Sequence, residues 1–511
     1  MKISSRCLAP TTITLSGFAL LSLMQTQKVK TQQAQPNKVA VAPLRVLVVG
    51  GGPDLDNNQV AIESNVRYLN RSLPAQTPRT VLFADGNAQS ETVLFDQAQK
   101  LSRGQYLYGL LFEENGPQEI VSTWRRPQLG SPLDGAARRA DVTRAFTRLA
   151  RDSSRDPRNV LLYFTGHGSQ NRADTNNNFY DLWNSEQLSV RDLSGQIARL
   201  PARVPVTLVM VQCFSGAFAN LIFADGDAKG DLIDRDIAGF FATTRFRVAA
   251  GCTSEVDERE YHDFTSYFFA ALTGRDRVGR RISGADFNLD GRVGMDEAFC
   301  YTLANDKSID VPIATSDLFL RRFVSPAALS TRFAIVRAAA SPAQRAALDK
   351  LSQELKLSGE NRLAQAHHRL NEDASSSEES ALLKQARQRF ATLRHDAREE
   401  IAKAQPNLRS RNATLKNAAE KSVQAQLERD ASANNWQPLL NAGRELIQLK
   451  NEHSQAAEAK EVEQSHLTRF VLLHESVALR LKLQASSNTT IKSRFARLLR
   501  HESSTLLPPQ P

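Results

Sequence analysis

Two apolar runs that each end in a reactive side chain constrain the fold of this chain more than any other feature. Residues 160–164 lead into His167, and residues 206–212 lead into Cys213. Continuous apolar runs that are rich in β-branched residues are typical of the central strands of a parallel sheet. Residues 189–200, between the two runs, have the apolar spacing of a helix and stop at a proline. The sequence therefore predicts a right-handed strand–helix–strand unit.

This predicted unit places His167 and Cys213 just past the carboxyl ends of neighbouring strands, where open α/β sheets build their sites. A nearby imidazole raises the thiolate fraction of a cysteine and can return a proton to a leaving amine. Gly168 has no side chain, so its N–H, together with that of Cys213, is a candidate oxyanion donor. The alternative is structural, because either residue alone is more often a strand-end histidine or a core thiol.

The residues around these two side chains resemble the motifs of the caspase–legumain superfamily of cysteine peptidases. Residues 163–168 read Tyr-Phe-Thr-Gly-His-Gly and are similar to the legumain form of the first motif. Residues 213–216 read Cys-Phe-Ser-Gly and resemble the second motif of legumains and metacaspases. The resemblance implies an α/β domain over residues 44–327, with a mostly parallel sheet flanked by helices. It also implies peptide hydrolysis through a thioester on Cys213, with His167 as acid and base.

Two loops and one strand end supply candidate substrate-binding residues. The resemblance places the loop after the first strand beside the substrate pocket, although its Asp and Asn content is also typical of an ordinary turn. Residues 246–250 are predicted to form a further strand, and residues 252–258 after it resemble the pocket-lining loop of the superfamily. Cys252 in that loop is predicted to pack rather than to react, because no His-Gly motif accompanies it. Val211 stands where the superfamily often has an acidic residue, so no cleavage preference carries over. The candidate substrate-binding residues are Asp54, Asp56, Gln212, Ser254 and Asp257.

A second motif, residues 286–297, matches the loop template of EF-hand calcium sites. Ligands fall at positions 1, 3, 5, 7 and 12 of that template, and Gly291 at position 6 makes the turn. Position 7 would supply its carbonyl oxygen, and the glutamate at position 12 would supply two oxygens. The candidate ligands are Asp286, Asn288, Asp290, Arg292 and Glu297. A lone loop predicts a structural Ca²⁺, and the alternative is an Asp/Asn/Gly-rich turn without metal.

The chain changes character at residue 328. Residues 328–511 hold 28 Lys and Arg against 20 Asp and Glu, with few aromatic residues and many helix formers. This composition predicts an all-α helical or coiled-coil module. Helical patterns lie at residues 344–357, 381–404, 436–449 and 461–483. A basic stretch around Arg494 and Arg497 is interpreted as a solvated helix face, so no nucleic-acid partner is expected.

Charge suggests where this helical module would dock. The predicted cleft loops carry Asp54 and Asp56 on one side and residues 255–258 on the other, which together make an acidic rim. A basic module is predicted to dock there and restrain activity, with an affinity that falls as salt rises. Legumains resemble this layout, because a helical C-terminal segment covers their active site. The alternative is an independent arm that binds a partner or a surface.

The start of the chain predicts export. Residues 1–26 carry two basic residues followed by a mostly apolar stretch, as in a secretory signal peptide or an N-terminal anchor, and residues 27–43 form a polar linker. Membrane contact is expected only through this segment, if it stays uncleaved. The four cysteines fall to three if the segment is removed, and an odd number argues against a disulfide framework.

Together these patterns predict an exported cysteine endopeptidase that acts on peptide or protein substrates through a Cys213–His167 dyad, with a structural calcium ion. The rival hypotheses are a catalytically inactive protein of the same fold that binds partners in a calcium-dependent way, and a scaffold whose main role lies in the C-terminal helices.

Overall fold

A computed structural model describes residues 43–114, 116–325, 331–372, 379–430 and 434–507. These residues belong to one compact unit of the chain, Val41–Pro511. The strands are β1 Leu44–Gly51, β2 Arg79–Phe83, β3 Val93–Ala98, β4 Ile120–Arg125, β5 Asn159–Ser169, β6 Phe179–Leu182, β7 Glu186–Ser189, β8 Val206–Met210, β9 Ile237–Phe241 and β10 Ile313–Ala314. The helices are α1 Val60–Ser72, α2 Arg103–Phe112, α3 Arg139–Arg155, α4 Val190–Ile197, α5 Phe264–Thr273, α6 Met295–Asn305, α7 Thr315–Phe323, α8 Phe333–Ala339, α9 Pro342–Glu354, α10 Arg362–Glu372, α11 Ala381–Ala404, α12 Ala413–Asp430, α13 Gln437–Ala485 and α14 Thr489–Glu502.

The predicted α/β domain and the helical region that follows it are confirmed. Strands β2, β1, β5, β8 and β9 pair in parallel in that order, and β10 closes the edge antiparallel to β9. Helix α4 connects β5 to β8 by way of the β6–β7 hairpin, so the predicted strand–helix–strand unit is present. Because both faces of the sheet are covered, its central strands are apolar on both sides.

Alternation along the strands divides the core into two layers. Val46, Val48 and Tyr163 face one layer with α1, α5 and α6, whereas Leu47 and Phe164 face the other with α3 and α4. The C-terminal helices join both layers. Residues of α8, α9 and α13 extend the first layer, and residues of α13, α14 and α7 extend the second. The boundary predicted at residue 327 therefore lies between segments that share one hydrophobic core.

One predicted element is wrong. Residues 246–250 form no strand, and β9, the neighbour of β8, comes earlier in the chain. Residues 311–323 complete the sheet through the two-residue β10 and then turn into α7. The helical patterns at residues 436–449 and 461–483 are confirmed, and both belong to one continuous helix, α13. The Ala-, Glu- and Lys-rich residues between them carry no apolar stripe, yet they favour helix and contain neither glycine nor proline.

The N-terminal predictions lie almost entirely outside the described residues. The signal or anchor at residues 1–26 and all but the last residue of the 27–43 linker fall there. Within the ranges that the structure describes, no helix combines the length and the apolar character needed to cross a membrane.

Candidate active site

Strand register brings His167 and Cys213 to the same edge of the sheet. Phe164 of β5 pairs with Met210 of β8, and His167 and Cys213 each lie three residues beyond that pair. The backbones of the two strand ends come closest at Gly168, where a Cβ would overlap the carbonyl oxygen of Cys213. Only glycine lets the two strand ends come this close, so the predicted dyad residues and Gly168 lie together.

His167 is held by the loop after β1. Its Nε2 lies 3.0 Å from Oε1 of Gln59, and the backbone of Asn57 lies close enough to raise the pKa of the ring. Burial lowers the pKa of His167, against smaller raising effects from Asn57, Asp181 and Asp54. The Gln59 amide carries both an acceptor and a donor, so it can partner Nε2 in either protonation state. Gln59 was not among the predicted site residues, and its only sequence signal is its place in the loop after the first strand.

Cys213 is held from the opposite side. The N–H of Ala249 donates to its sulfur at 3.3 Å, and the N–H of Phe214 donates to the carbonyl of Arg247 at 2.9 Å. Phe214 has a left-handed φ of 58°, which turns the chain sharply into the 3₁₀-helix Ser215–Ile222. Burial raises the pKa of the Cys213 thiol, and the carboxylate of Asp310 raises it further, although the Ala249 hydrogen bond acts in the opposite direction.

The two groups therefore both shift toward their neutral forms. Desolvation disfavours imidazolium at His167 and thiolate at Cys213, which gives a neutral thiol–imidazole pair in this conformation. Nε2 of the ring bonds to Gln59 and the sulfur to Ala249, so proton transfer between the two groups requires them to hydrogen-bond to each other once substrate is bound. This arrangement is compatible with catalysis, because catalytic hydrogen bonds often tighten only when substrate is bound.

Cys252 lies beside this pair and is exposed, which contradicts its predicted packing role. Its sulfur is 3.9 Å from the carbonyl oxygen of Gly166. Desolvation and then the neighbouring Cys213 raise the pKa of Cys252. Cys252 becomes a site neighbour only because residues 252–254 run alongside β3 and α1.

The predicted substrate residues separate into two groups. Gln212 is buried beside Gly168, and among the described residues neither of its amide atoms has a hydrogen-bond partner. Asp54 is exposed and close enough to raise the pKa of His167, while its carboxylate accepts from Asn57. Within the described part of the chain, the other three candidates form no hydrogen bond with His167 or Cys213. Asp56 is exposed, the Ser254 carbonyl accepts from Asp96 of β3, and Asp257 binds Arg259.

The predicted calcium loop is folded around its own carboxylates. Asp286 accepts from the N–H of Gly291 at 2.9 Å, and Asn288 accepts from Asp290 at 2.9 Å. Glu297 is buried and accepts from the N–H groups of residues 287, 288 and 294. Gly291 has a φ of 84°, as the predicted turn requires. Across the described part of the chain, no three His, Cys, Asp or Glu side chains are grouped to hold a metal ion.

No protein-family model matches the chain, and no curated protein matches it significantly.

Proposed function

We propose that this chain is a cysteine endopeptidase of the caspase–legumain type. The observation that carries the proposal is the juxtaposition at the carboxyl edge of the sheet. An imidazole near the end of β5 and a thiol three residues past the end of the adjacent β8 lie at the same edge of the sheet. Gly168 beside them has no room for a side chain, because a Cβ there would overlap the carbonyl oxygen of Cys213. Parallel sheets build their sites at this edge.

In the proposed reaction, the sulfur of Cys213 attacks the substrate carbonyl carbon while His167 accepts the thiol proton. The C–N bond then breaks, His167 gives the proton to the leaving amine, and a thioester remains. Water attacks the thioester with His167 as base, releases the acid and restores the thiol. The N–H groups of Gly168 and Cys213 are the proposed donors to the oxyanion in both steps.

Exposed apolar side chains beside the site support a peptide substrate. Trp124 and Leu55 are exposed, and the Trp124 indole donates to the Leu55 carbonyl at 3.1 Å, in the loop that also holds Gln59. Phe246 and Val248 are exposed in the segment that leads to Ala249. Apolar residues on the loops that contact His167 and Cys213 are suited to contact side chains of an extended peptide.

One observation favours a second candidate, a non-catalytic binding protein with the same fold. The imidazole and the thiol are bonded to Gln59 and Ala249 rather than to each other, and both are shifted toward neutrality. A protein that binds peptides without cleaving them would keep this arrangement. It would bind peptides without accumulating an acyl-enzyme.

Peptide-library profiling and labelling with a thiol-reactive peptide probe distinguish the two candidates. Cys213→Ala and His167→Ala should each abolish hydrolysis and labelling, and Cys252→Ala is the matched control that should keep both. Hydrolysis that is lost only in Cys252→Ala would assign the nucleophile to Cys252 instead. Peptide binding without hydrolysis in the parent protein would favour the binding protein.

Structural calcium at residues 286–297 belongs to the same proposal. The donor set is all oxygen, which suits Ca²⁺, and the turn at Gly291 has the required conformation. Asp286, Asn288, Asp290 and Glu297 would hold the ion through side chains, and Arg292 through its carbonyl. When bound, it would add a cationic partner to carboxylates that otherwise accept only from backbone N–H groups of the loop.

A further inference from the structure

Helix α13 of the C-terminal region contacts the α/β domain through a fully buried arginine, Arg469. Arg469 donates from Nε to the carbonyl of Asp310 at 2.7 Å and from Nη2 to that of Ser308 at 2.8 Å. Its Nη1 donates to the carbonyl of Asp306, whose carboxylate lies 3.4 Å from Nη2. Arg469, Asp306 and Asp310 are each at most 1% exposed. One guanidinium thus fixes the backbone of residues 306–310 at three points.

Asp310 passes this constraint to the segment that holds the cysteine. Its Oδ1 accepts from the N–H of Ala250 at 2.7 Å, and its Oδ2 accepts from the N–H of Phe264 at 3.0 Å. The residue before Ala250 is Ala249, the donor to the Cys213 sulfur. The position of that donor therefore depends on Asp310, and the position of Asp310 depends on Arg469.

A second route starts one turn earlier on α13. Ser465 is fully buried, and its hydroxyl lies 3.0 Å from the carbonyl of Ile309 and 2.9 Å from Nη2 of Arg247. The carbonyl of Arg247 accepts from the N–H of Phe214, the residue after the cysteine. The same helix thus reaches both the donor to the sulfur and the turn that follows the nucleophile.

We infer that Arg469 is a positioning residue for Cys213, and that α13 is a built-in part of the active site. The inference rests on the proposed function for its catalytic meaning. A buried arginine beside a buried carboxylate, here that of Asp306, carries a large desolvation cost, which is offset only if its donors are used. Lysine cannot replace it, because a compact ammonium lacks the planar fork that meets three carbonyls at once.

This role is the opposite of the restraint predicted from charge. The contacts of Asp257 and Glu258 on the acidic rim are with Arg259, Arg67 and Arg71 of the same domain. The helices dock elsewhere, through Arg469 and through Arg497 with Asp236. Loss of α13 would leave the buried carbonyls of residues 306, 308 and 310 without the donors of Arg469, so the helix supports the site rather than covers it.

The test measures the reactivity of the Cys213 thiol in the full chain, which does not require peptidase activity. Alkylation by iodoacetamide is followed over a pH series by mass spectrometry of the peptide that contains Cys213. Arg469→Lys should move the titration midpoint upward and slow alkylation at neutral pH about tenfold, the equivalent of about one pKa unit. The reason is that the substitution would displace the N–H of Ala249, which donates to the Cys213 sulfur and stabilises the thiolate. Ser465→Ala should slow the alkylation of Cys213 about threefold, since Arg247 loses its hydrogen bond to the Ser465 hydroxyl.

Arg480→Lys is the matched control, because Arg480 lies on the same helix and donates to the carbonyl of Ala339, away from Cys213. It should leave the midpoint unchanged. A folded Arg469→Lys variant with the parent midpoint would overturn the inference. If Arg469→Lys does not fold, the Ser465→Ala variant is the deciding test. A Cys213 midpoint equal to that of the parent in Ser465→Ala would equally overturn the inference. If the parent protein alkylates normally but hydrolyses no peptide, the proposed function fails and the positioning role is still judged by the midpoints.

Discussion

The two halves of α13 have different surroundings. Its C-terminal half packs into the core under the sheet, where Leu467, Phe470 and Val477 are buried and Arg469 holds the 306–310 loop. Its N-terminal half packs in a separate apolar cluster with α11, α12 and α2, through residues such as Leu440 and Leu446. Residues 450–464 between them are mostly exposed.

The difference shows that one helix serves two purposes. The C-terminal half acts as a core element of the α/β domain, whereas the N-terminal half belongs to an outlying bundle to which α2 of the α/β domain contributes. Changes in the first half should reach Cys213, and changes in the second half should stay local. Four predictions examine this contrast, beginning with the largest effect.

Phe470→Ala should destabilise the protein by about 3–5 kcal/mol, because it removes a fully buried ring that packs against Phe333 and His474. Chemical denaturation monitors the loss, and alkylation of Cys213 should change with it. Leu440→Ala in the outlying cluster should also cost stability, yet leave the alkylation rate of Cys213 at its parent value. Equal effects of both variants on Cys213 would remove the contrast between the halves.

Acid should weaken the C-terminal half through His474. The ring is fully buried, and burial lowers its pKa to about 4, with a smaller contribution from His367. Because the unfolded chain binds this proton more readily, the contribution to stability is complete above the ordinary pKa of 6.5 and is lost as pH falls toward 4. Between pH 7 and about pH 5 the loss should be about 2 kcal/mol.

The measurement is the free energy of unfolding at the two pH values for the parent and for His474→Leu, which cannot bind a proton. The variant should lose less stability on acidification than the parent. Equal losses in both proteins would show that His474 is already protonated, or solvated, in the fold.

Calcium should stabilise the loop that the end of the chain touches. The N–H of Met295, at the end of the loop, donates to the carbonyl of Ser504 at 3.2 Å. Glu297→Gln should weaken calcium binding about tenfold, or about 1.4 kcal/mol, measured by calorimetric titration. Asp296→Asn is the control, since that carboxylate is outside the template. An unchanged titration in Glu297→Gln would reject the calcium site.

The smallest effect is expected at the surface of α14. Arg494 and Arg497 pair with Asp234, which is largely exposed, and exposed pairs contribute little to stability. Arg494→Met should therefore leave the thermal midpoint and the Cys213 alkylation rate at their parent values, at low and high salt. A salt-dependent loss of either would show that charge, and not only buried contacts, holds this helix in place.

Much of the α/β domain could be predicted from the sequence, because the patterns that indicate its strands and helices are local. The apolar runs before His167 and Cys213, the helical spacing between them and the right-handed crossover rule together define adjacent parallel strands. Residues 246–250 show the limit of such signals. They are apolar enough for a strand, but Ala249 and Ala250 give their N–H groups to Cys213 and Asp310 rather than to a neighbouring strand.

Sequence patterns account for the parallel pairing of β5 with β8, for a thiol and an imidazole at one edge of the sheet, and for the helices of the C-terminal region. Those features follow from periodicity and from the chirality of the chain, which act over a few residues. The contact of Gln59 with His167, and those of Arg469 with Asp306 and Asp310 across some 160 positions of sequence, arise in the folded chain alone. Such contacts depend on which surfaces meet in three dimensions, and no local pattern of residues records that.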